Sequence, residues 1–279
     1  MLRAIAPNIW TQTSLMQQMQ TVVLKSDRHV LFIDPGFFPP ELSDLTRQIP
    51  AIAQERSPLL ALTHSDYDHI AGVPYFPSWP VVASSHWDLR NEKESLAQLA
   101  QFDGEFYLDR PWGEAQMPPV TATHSVKDGQ VLGPFQFFHT QGHTDDGLMV
   151  IWDRAHLAVV GDFLSILEFP FIYTSFDRYQ STIKRFREVF AASHITYLIS
   201  QHGPPAVTAH EIGQRLDMAE RYLEDLHRHV IRHIERGDDP LQHKETIHYF
   251  GKPISPSLKK FHDTNIRLVW REATHKSRS

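Results

Sequence analysis

The pattern of apolar and polar positions predicts short strands that alternate with helices. Runs of leucine and β-branched residues that end in Gly, Pro or polar turns are typical of strands. They predict strands at 21–24, 30–33, 59–63, 81–83, 131–140, 147–152, 157–160 and 196–200. A 3.6-residue apolar spacing, or a suitable start signal, predicts helices at 41–49, 84–101, 177–192, 208–236 and 257–271. Residues 102–128 lack such periodicity, so we expect a long surface excursion there.

This order of elements predicts the fold class. Strand-rich and helical stretches alternate twice, which is typical of two similar α/β halves whose sheets pack together with helices outside. The chain has 279 residues and no linker-like segment. We therefore expect a single domain over 1–279, with a helical C-terminal extension at 206–279.

Composition narrows the function classes. The chain has no cysteine, which excludes disulfides, Fe–S clusters, thiolate zinc sites and cysteine nucleophiles. Its net charge of −6 disfavours nucleic acid as a partner. No apolar run approaches the roughly 18 residues of a membrane span, and no signal-peptide pattern opens the sequence. We expect a cytoplasmic protein with a small-molecule substrate, and both monomer and homodimer stay open.

The segment 59–72 carries the densest chemistry in the sequence. His64, Asp66, Asp68 and His69 lie within six residues, directly after an apolar strand. Two imidazoles and two carboxylates suit a divalent ion such as Zn²⁺, Mn²⁺ or Fe²⁺. The alternative is a polar turn with solvated side chains.

Three later segments also place a potential ligand at the end of a strand. They are Gly142-His143, Gly161-Asp162 and His202-Gly203. Strand ends in an α/β sandwich converge on one edge, so these side chains are expected near the first cluster. Each signal is weak alone, but together and in this order they indicate a metal site.

The whole pattern resembles the metallo-β-lactamase-fold superfamily of metallohydrolases, including glyoxalase II-like and lactonase-like members. That family carries a His-x-His-x-Asp-His loop, followed by a Gly-His, a Gly-Asp and a final His. The resemblance extends over residues 5–204. It implies a four-layer αββα sandwich with a one- or two-metal site at its edge.

The resemblance also implies two sets of metal ligands joined by a bridging aspartate. The first set is His64 and His143, the second is Asp68, His69 and His202, and the bridge is Asp162. Asp66 stands where the family usually has its second histidine, and we expect it to complete the first set. With Asp66 in place of a histidine, the charges of the three aspartates and a hydroxide balance those of two M²⁺ ions, so the site is neutral. With a histidine at this position the net charge would be +1. Harder ions gain from the exchange, so Fe and Mn are alternatives to the two Zn²⁺ ions that we expect first.

For function, the resemblance implies hydrolysis by a metal-bound, bridging hydroxide. Esters, thioesters and lactones are the expected substrates, and Asp68 is expected to orient the nucleophile or to shuttle a proton. β-Lactams fit less well because Asp66 is unusual for that branch. The alternatives are a phosphodiester hydrolase and a diiron oxidoreductase, since flavodiiron proteins carry a glutamate at the position of Asp66. A binding module without activity is a further alternative.

Several other residues have two interpretations at this stage. Tyr67 is either structural or part of the site, and Arg110 is either a surface residue or a clamp for a substrate carboxylate. The aromatic stretch 168–173 either lines a substrate pocket or packs in the core. His229 and His233, spaced i, i+4 among arginines, are predicted to lie on a solvated basic face.

The tripeptide Asp34-Pro35-Gly36 resembles a turn that superfamily members carry before their first helix. We expect it to support the site from behind rather than to take part in the chemistry.

Overall fold

A computed structural model describes residues 1–87, 92–113, 117–242 and 244–276. The first sheet contains, in spatial order, β1 (Arg3–Ala6), β2 (Ile9–Thr13), β3 (Gln20–Lys25), β4 (His29–Ile33), β5 (Ser57–Ala61), β6 (Val81–Ser84) and β7 (His124–Val126). Neighbours from β1 to β4 are antiparallel, and those from β4 to β7 are parallel.

The second sheet is built by the second half of the chain. Its strands are β8 (Val131–Leu132), β9 (Phe135–Thr140), β10 (Gly147–Trp152), β11 (Leu157–Val159) and β12 (Tyr197–Ile199), in the spatial order β12-β11-β10-β9-β8. Only β11 and β12 pair in parallel. A separate hairpin joins β13 (His248–Tyr249) to β14 (Lys252–Pro253).

Six helices accompany the sheets in the described ranges. They are α1 (Pro39–Ala53), the single turn α2 (Tyr67–Ile70), α3 (Glu92–Phe106), α4 (Phe176–Ala192), α5 (Ala209–Arg236) and α6 (Lys259–Lys276). None of them combines the length and the apolarity that a membrane crossing needs.

Alternation along the central strands produces four layers. In β4, Leu31 and Ile33 face the second sheet, whereas Phe32 packs with residues of α1 on the outer face. In β10, Val150 faces the first sheet and Ile151 packs with the outer helices of the second half. Successive side chains of a strand point to opposite faces, so a strand covered on both faces is apolar throughout. The predicted αββα sandwich is confirmed.

The outer helices of the second half begin and end close to the predicted positions. Ser175 caps α4 by accepting a hydrogen bond from the backbone N–H of Arg178. Thr208 caps α5 in the same way through the N–H of Glu211. These hydroxyls satisfy donors that a helix start leaves unpaired, which explains why the predictions at 177–192 and 208–236 were accurate.

The helix predicted at 84–101 was placed too early. Ser84 belongs to β6, residues 88–91 lie outside the described part of the chain, and α3 runs from Glu92 to Phe106. The expected excursion therefore begins later than residue 102. The last helix, α6, extends beyond its predicted end at residue 271.

The C-terminal segment 206–279 is mainly helical in its described part, although it also contains the β13–β14 hairpin. Apolar residues of α5 and α6, such as Leu223 and Ile266, share one core with the second sheet and α4. The assignment of the chain to one domain stays a prediction.

Candidate metal centre

All the predicted ligands lie where strands of the two sheets end. The loop after β5 supplies the first four, and the loops after β9, β11 and β12 supply His143, Asp162 and His202. The two sheets are joined at this edge by backbone hydrogen bonds. The N–H of Leu148 donates to the carbonyl of Thr63, and the N–H of Gln20 donates to the carbonyl of Gln201. Strand ends from both halves therefore meet at one place.

The first group of ligand atoms comprises His64, Asp66, His143 and one oxygen of Asp162. Oδ2 of Asp66 lies 3.5 Å from Nε2 of His64 and 3.6 Å from Nε2 of His143. Oδ2 of Asp162 lies 3.6 and 3.4 Å from the same two nitrogens. Two ligands on one tetrahedral ion, each about 2.0–2.2 Å from it, are about 3.3–3.6 Å apart. The spacing therefore fits an ion at the centre of this group.

The second group comprises Asp68, His69, His202 and the other oxygen of Asp162. Oδ1 of Asp162 lies 3.2 Å from Nε2 of His69 and 3.5 Å from Nε2 of His202. Asp68 places Oδ1 3.7 Å from Nε2 of His69 and Oδ2 3.4 Å from Nε2 of His202. Its two oxygens thus face different histidines.

Asp162 divides its carboxylate between the two groups. Its Oδ2 faces His64 and His143, and its Oδ1 faces His69 and His202. A side chain placed in this way can bridge two ions. The short loop after β11 that carries it contains Gly161 at φ +60, where an added Cβ would lie 3.3 Å from the Thr63 side chain.

Unsatisfied nitrogens test whether these residues fit a metal. The Nε2 atoms of His64, His69 and His143 are buried and have no hydrogen-bond partner among the described residues, and Oδ1 of Asp162 is in the same situation. Buried polar atoms are normally paired, so such a group needs an explanation. A divalent cation among them supplies one, and all but one of the distances above exceed 3.2 Å, the upper end of ordinary hydrogen bonds.

The second nitrogen of each histidine has a partner outside the centre. Nδ1 of His143 lies 2.8 Å from the carbonyl of Phe171, and Nδ1 of His202 lies 3.2 Å from the carbonyl of Gln17. A carbonyl oxygen only accepts, so the proton of each neutral ring is on Nδ1. The lone pair is then on Nε2 and directed inward, as a metal ligand requires.

His64 and His69 are oriented by Asp34, which is fully buried at the end of β4. Oδ2 of Asp34 accepts from Nδ1 of His69 at 2.9 Å and from Oγ1 of Thr63 at 2.6 Å. Because Thr63 donates its hydroxyl proton to Asp34, its oxygen accepts from Nδ1 of His64 at 3.1 Å. Gln201 also donates to Oδ2 of Asp34, at 2.8 Å. The sequence predicted a supporting role for Asp34 but not this network.

The electrostatics of the centre are those of closely packed opposite charges. Burial alone would raise the pKa of Asp66, but His143 and His64 hold it well below its ordinary value. Burial would lower the pKa of His143, but Asp162 and Asp66 raise it to about 10. Burial would likewise lower the pKa of His69, but the carboxylates of Asp162 and Asp68 raise that pKa well above its usual range. The carboxylates thus favour positive charge at this place, whether from protons or from a metal.

A glycine is required beside His143. Gly142 has φ +111, and an added Cβ would lie 2.4 Å from the backbone of Tyr179 in α4. Its carbonyl accepts from the N–H groups of Tyr173 and Thr174. The Gly-His pair therefore lets the loop approach α4 while the histidine turns inward.

The aromatic stretch after Asp162 is mainly core. Phe169, Phe171 and Ile172 are buried in the cluster beneath α4–α6. Tyr173 is the aromatic member of this stretch that lies against His143, with the two ring centroids 4.8 Å apart. Burial raises the pKa of Tyr173 well above its ordinary value, with Asp66 adding to the effect, so its hydroxyl stays protonated at neutral pH.

The C-terminal helices hold this stretch in place. Asn265 of α6 donates to the carbonyl of Pro170 at 2.6 Å and accepts from the N–H of Ile172 at 2.9 Å. The Tyr249 hydroxyl donates to the carbonyl of Ser165 at 2.8 Å. No sequence signal near the metal motifs indicated that residues so far along the chain fix this loop.

Two predictions about other residues were wrong. Arg110 is buried and neither exposed nor directed to a substrate, because it makes two hydrogen bonds to the Asp103 carboxylate and one to the carbonyl of Phe37. His229 and His233 are buried rather than solvated. His229 donates to the carbonyl of Pro240 at 2.7 Å, and His233 pairs with Asp238.

Tyr67 has a structural environment. Its ring packs against Phe37 and Phe102, and its hydroxyl accepts from Nε2 of Gln17 at 3.0 Å. Glu168, by contrast, was not identified from the sequence, although its carboxylate lies beside Asp162 and His202. Burial raises the pKa of Glu168 above its ordinary value. It follows Asp162 by six residues, which no part of the family motif marks.

A four-layer αββα sandwich with histidine and carboxylate groups at one edge defines a class of metal-binding hydrolases. A sequence model described as the metallo-beta-lactamase superfamily matches residues 17–202. The chain therefore belongs to the metallo-beta-lactamase superfamily and is a hydrolase of that type. Members bind divalent metals, and the groups described here could hold such ions.

Solved structures give the same fold. The chain is similar to TMB-1, with a TM-score of 0.54 and 16% identity over 79% of this chain and 96% of that one. It is similar to DIM-1 metallo-beta-lactamase, with a TM-score of 0.55 and 15% identity over 79% and 96% of the two chains. It is also similar to a metallo-beta-lactamase from Pontibacter korlensis, with a TM-score of 0.54 and 14% identity over 78% of this chain and 98% of that one. At these identities the likeness shows the fold alone. No curated protein matches the chain.

Proposed function

We propose that this hydrolase holds two divalent metal ions and cleaves a small-molecule ester, thioester or lactone. His64, Asp66, His143 and Oδ2 of Asp162 would hold the first ion. Asp68, His69, His202 and Oδ1 of Asp162 would hold the second. The observation that carries the proposal is the division of the Asp162 carboxylate between two groups whose histidine Nε2 atoms lie 3.2–3.6 Å from it.

When bound, the ions would polarise the scissile carbonyl as Lewis acids and lower the pKa of a water molecule so that it can act as a nucleophile. The protein's own residues supply orientation and proton handling. Asp34 and the carbonyls of Gln17 and Phe171 keep the histidine lone pairs directed inward. Asp68, which is buried in the first turn of α2, is the carboxylate that we assign to orienting the nucleophile or accepting its proton.

Tyr173 would donate a hydrogen bond to the substrate. Its ring lies against His143, and its raised pKa keeps the hydroxyl protonated. A donor near a developing oxyanion stabilises the transition state more than the ground state. Its place next to the first group of ligands supports this role.

Two exposed aliphatic side chains support a substrate with an apolar part. Ile166 and Leu167 are 38% and 39% exposed, whereas their neighbours Leu164 and Ser165 in the loop that connects Asp162 with Glu168 are buried. Leu167 also lies beside Gly203, the residue after His202, since a Cβ added at Gly203 would be 3.1 Å from the Leu167 side chain. Arg215, which reaches the same loop from α5, is occupied by the carbonyls of Leu164 and Pro204 rather than available to a phosphate. These features favour an acyl ester or lactone over a phosphodiester.

The test combines metal content with a substrate panel. Protein purified without a chelator or a His-tag would be analysed by elemental mass spectrometry, and then assayed on aryl esters, thioesters, lactones, a phosphodiester and a chromogenic β-lactam. We expect about two ions per chain and turnover of at least one acyl substrate that is lost with chelator and in His69→Ala. Turnover that survives both treatments would refute the proposal. Turnover of the phosphodiester alone would replace the substrate class.

One observation favours a second candidate, a diiron oxidoreductase. Asp66 supplies a carboxylate to the first group, and carboxylate-rich sites suit iron. Two irons per chain with O₂- or NO-dependent electron uptake, and no hydrolysis in the panel, would select this candidate.

A further inference from the structure

Glu168 lies against the second group of ligands without being part of the motif. Its carboxylate, a carboxylate oxygen of Asp162 and a ring nitrogen of His202 lie within 4.8 Å of one another. These distances are within reach of a single ion that binds ligands at about 2.0–2.4 Å. Glu168 is half-buried, so part of its surface is already removed from water.

The backbone of Glu168 is fixed relative to His202 by one hydroxyl. Oγ of Ser165 donates to the carbonyl of His202 at 2.9 Å. The same oxygen accepts from the N–H groups of Leu167 at 3.0 Å and Glu168 at 3.2 Å. The backbone carbonyl of Ser165 in turn accepts a hydrogen bond from the Tyr249 hydroxyl. The backbone that carries the Glu168 carboxylate is therefore a turn fixed by hydrogen bonds to Ser165.

The charge environment of Glu168 calls for a cation. Among the described residues no hydrogen bond to its carboxylate is present. His202 attracts the carboxylate, whereas Asp162 and Asp68 repel it, and burial disfavours its charged form. A half-buried carboxylate without a donor is costly. The unpaired buried atoms Nε2 of His69 and Oδ1 of Asp162 belong to the same group of ligands.

We propose that Glu168 is an additional ligand of the ion held by Asp68, His69, His202 and Asp162. This ion would then have five protein ligand groups, three of them carboxylates. Such a set suits Mn²⁺ or Fe²⁺, which accept five or six ligands rich in oxygen, better than Zn²⁺, which prefers four. The inference rests on the proposed metal centre but not on the proposed substrate.

The experiment compares metal affinities of wild-type protein, Glu168→Gln and the control Glu188→Gln. Glu188 is exposed on α4, so its substitution makes the same charge change away from the centre. Metal-free proteins would be titrated separately with Mn²⁺ and Zn²⁺ by calorimetry. We expect Glu168→Gln to weaken Mn²⁺ binding at one of two sites by tenfold or more and Zn²⁺ binding by clearly less. Glu188→Gln should match wild type.

Equal affinities of Glu168→Gln and wild type for Mn²⁺, within about twofold, overturn the inference and leave the proposed function standing. Failure of wild-type protein to bind either metal overturns both. Thermal unfolding of the metal-free proteins checks that Glu168→Gln is folded. If the variant is not folded, the inference is tested instead by the visible absorption spectrum of wild-type protein loaded with Co²⁺. Weak visible absorption from one of the two ions supports a five- or six-coordinate site, and strong tetrahedral absorption from both refutes it.

Discussion

Nδ1 of His69 donates a 2.9 Å hydrogen bond to Oδ2 of Asp34, and both side chains are fully buried. Asp34 follows β4 and His69 lies on α2, so the bond connects two neighbouring strand ends of the first sheet. It fixes the ring proton on Nδ1 and directs the Nε2 lone pair toward Asp162. The proposed metal centre would therefore depend on a residue that does not itself touch an ion.

Replacement of Asp34 by Asn should weaken metal binding. Oδ2 of Asp34 accepts from Thr63, His69 and Gln201, and an amide NH₂ in its place would face these donors. Loss of such a supporting partner typically lowers metal affinity 10- to 100-fold, and we expect that range for Asp34→Asn in a calorimetric titration. Asp44→Asn, at a half-buried position on α1 where the carboxylate pairs with Arg47, is the matched control. An affinity within twofold of wild type would show that Asp34 does not position the ligands.

Replacement of Asp66 by His should change which metal is preferred. The variant makes the centre one unit more positive and supplies a borderline nitrogen where a hard oxygen was, so Zn²⁺ gains over Mn²⁺. Incubation with both ions at equal concentration, followed by elemental analysis, gives the ratio. Asp66→Asn separates charge from ligation, since it loses the charge and provides no imidazole. An unchanged Zn/Mn ratio in Asp66→His would argue against Asp66 as a ligand.

Removal of metal should lower the melting temperature. A ligand present at 100 times its Kd stabilises the folded state by about 2.7 kcal/mol. For a protein of this size such a change corresponds to roughly 5–10 °C. The melting curve of chelator-treated protein should recover on addition of Mn²⁺ or Zn²⁺. A double replacement, His69→Ala with His143→Ala, is expected to abolish the recovery, and its persistence would place the binding site elsewhere.

Replacement of Asn265 by Ala should destabilise the protein and loosen the loop after Asp162. The change leaves the carbonyl of Pro170 and the N–H of Ile172 without their partners. Each buried unpaired group costs about 1–3 kcal/mol, so urea unfolding should show a loss of roughly 2–5 kcal/mol. Thr264→Ala, at the exposed neighbouring position, is expected to change the free energy of unfolding little. Equal effects of the two variants would contradict the role of Asn265.

Acid should destabilise the protein partly through His262. Burial lowers the pKa of this residue to about 4, and the Tyr222 hydroxyl bonds its Nδ1 at 2.9 Å. In the unfolded chain the ordinary pKa is about 6.5. Above about pH 6.5 His262 is neutral in both states and does not change the free energy of unfolding. As the pH falls from about 6.5 to 4 the unfolded state binds the proton first, so the folded state becomes less stable.

His262→Gln tests this sign. Unfolding of metal-free protein should depend less steeply on pH between about 6.5 and 4 in the variant than in wild type. His210→Gln, at an exposed position near the start of α5, should keep the wild-type slope. Parallel curves for His262→Gln and wild type would mean that His262 is protonated as easily in the folded protein as in the unfolded chain.

The fold and the clustering of the seven predicted side chains could be anticipated because their signals are local. Apolar runs define the strands, and Asp162 and His143 follow strand ends marked by glycine. Their assignment as metal ligands stays a prediction until metal is measured. The predicted bounds of β10 agree with the structure at both ends. Those of α4 and α5 differ by one residue at the start, where Ser175 and Thr208 cap the helices.

Features that depend on distant partners were not predictable. Arg110 is buried because Asp103 and the carbonyl of Phe37 receive its guanidinium. His229 lies among basic residues in sequence, but the chain returns after α5 and covers it with Pro240. Glu168 belongs to no repeated spacing, and only the turn built by Ser165 brings it to His202.

The bonds from Asn265 to Pro170 and Ile172 span more than ninety positions of the chain. During synthesis, the seven side chains of the centre have all left the ribosome long before α6 is made. A nascent chain that has produced His202 has every proposed ligand, but the loop with Glu168 and Tyr173 still lacks its outer support. Folding during synthesis can therefore give that loop its outer support only after α6 has been made, and an ion captured earlier would meet an incompletely enclosed site.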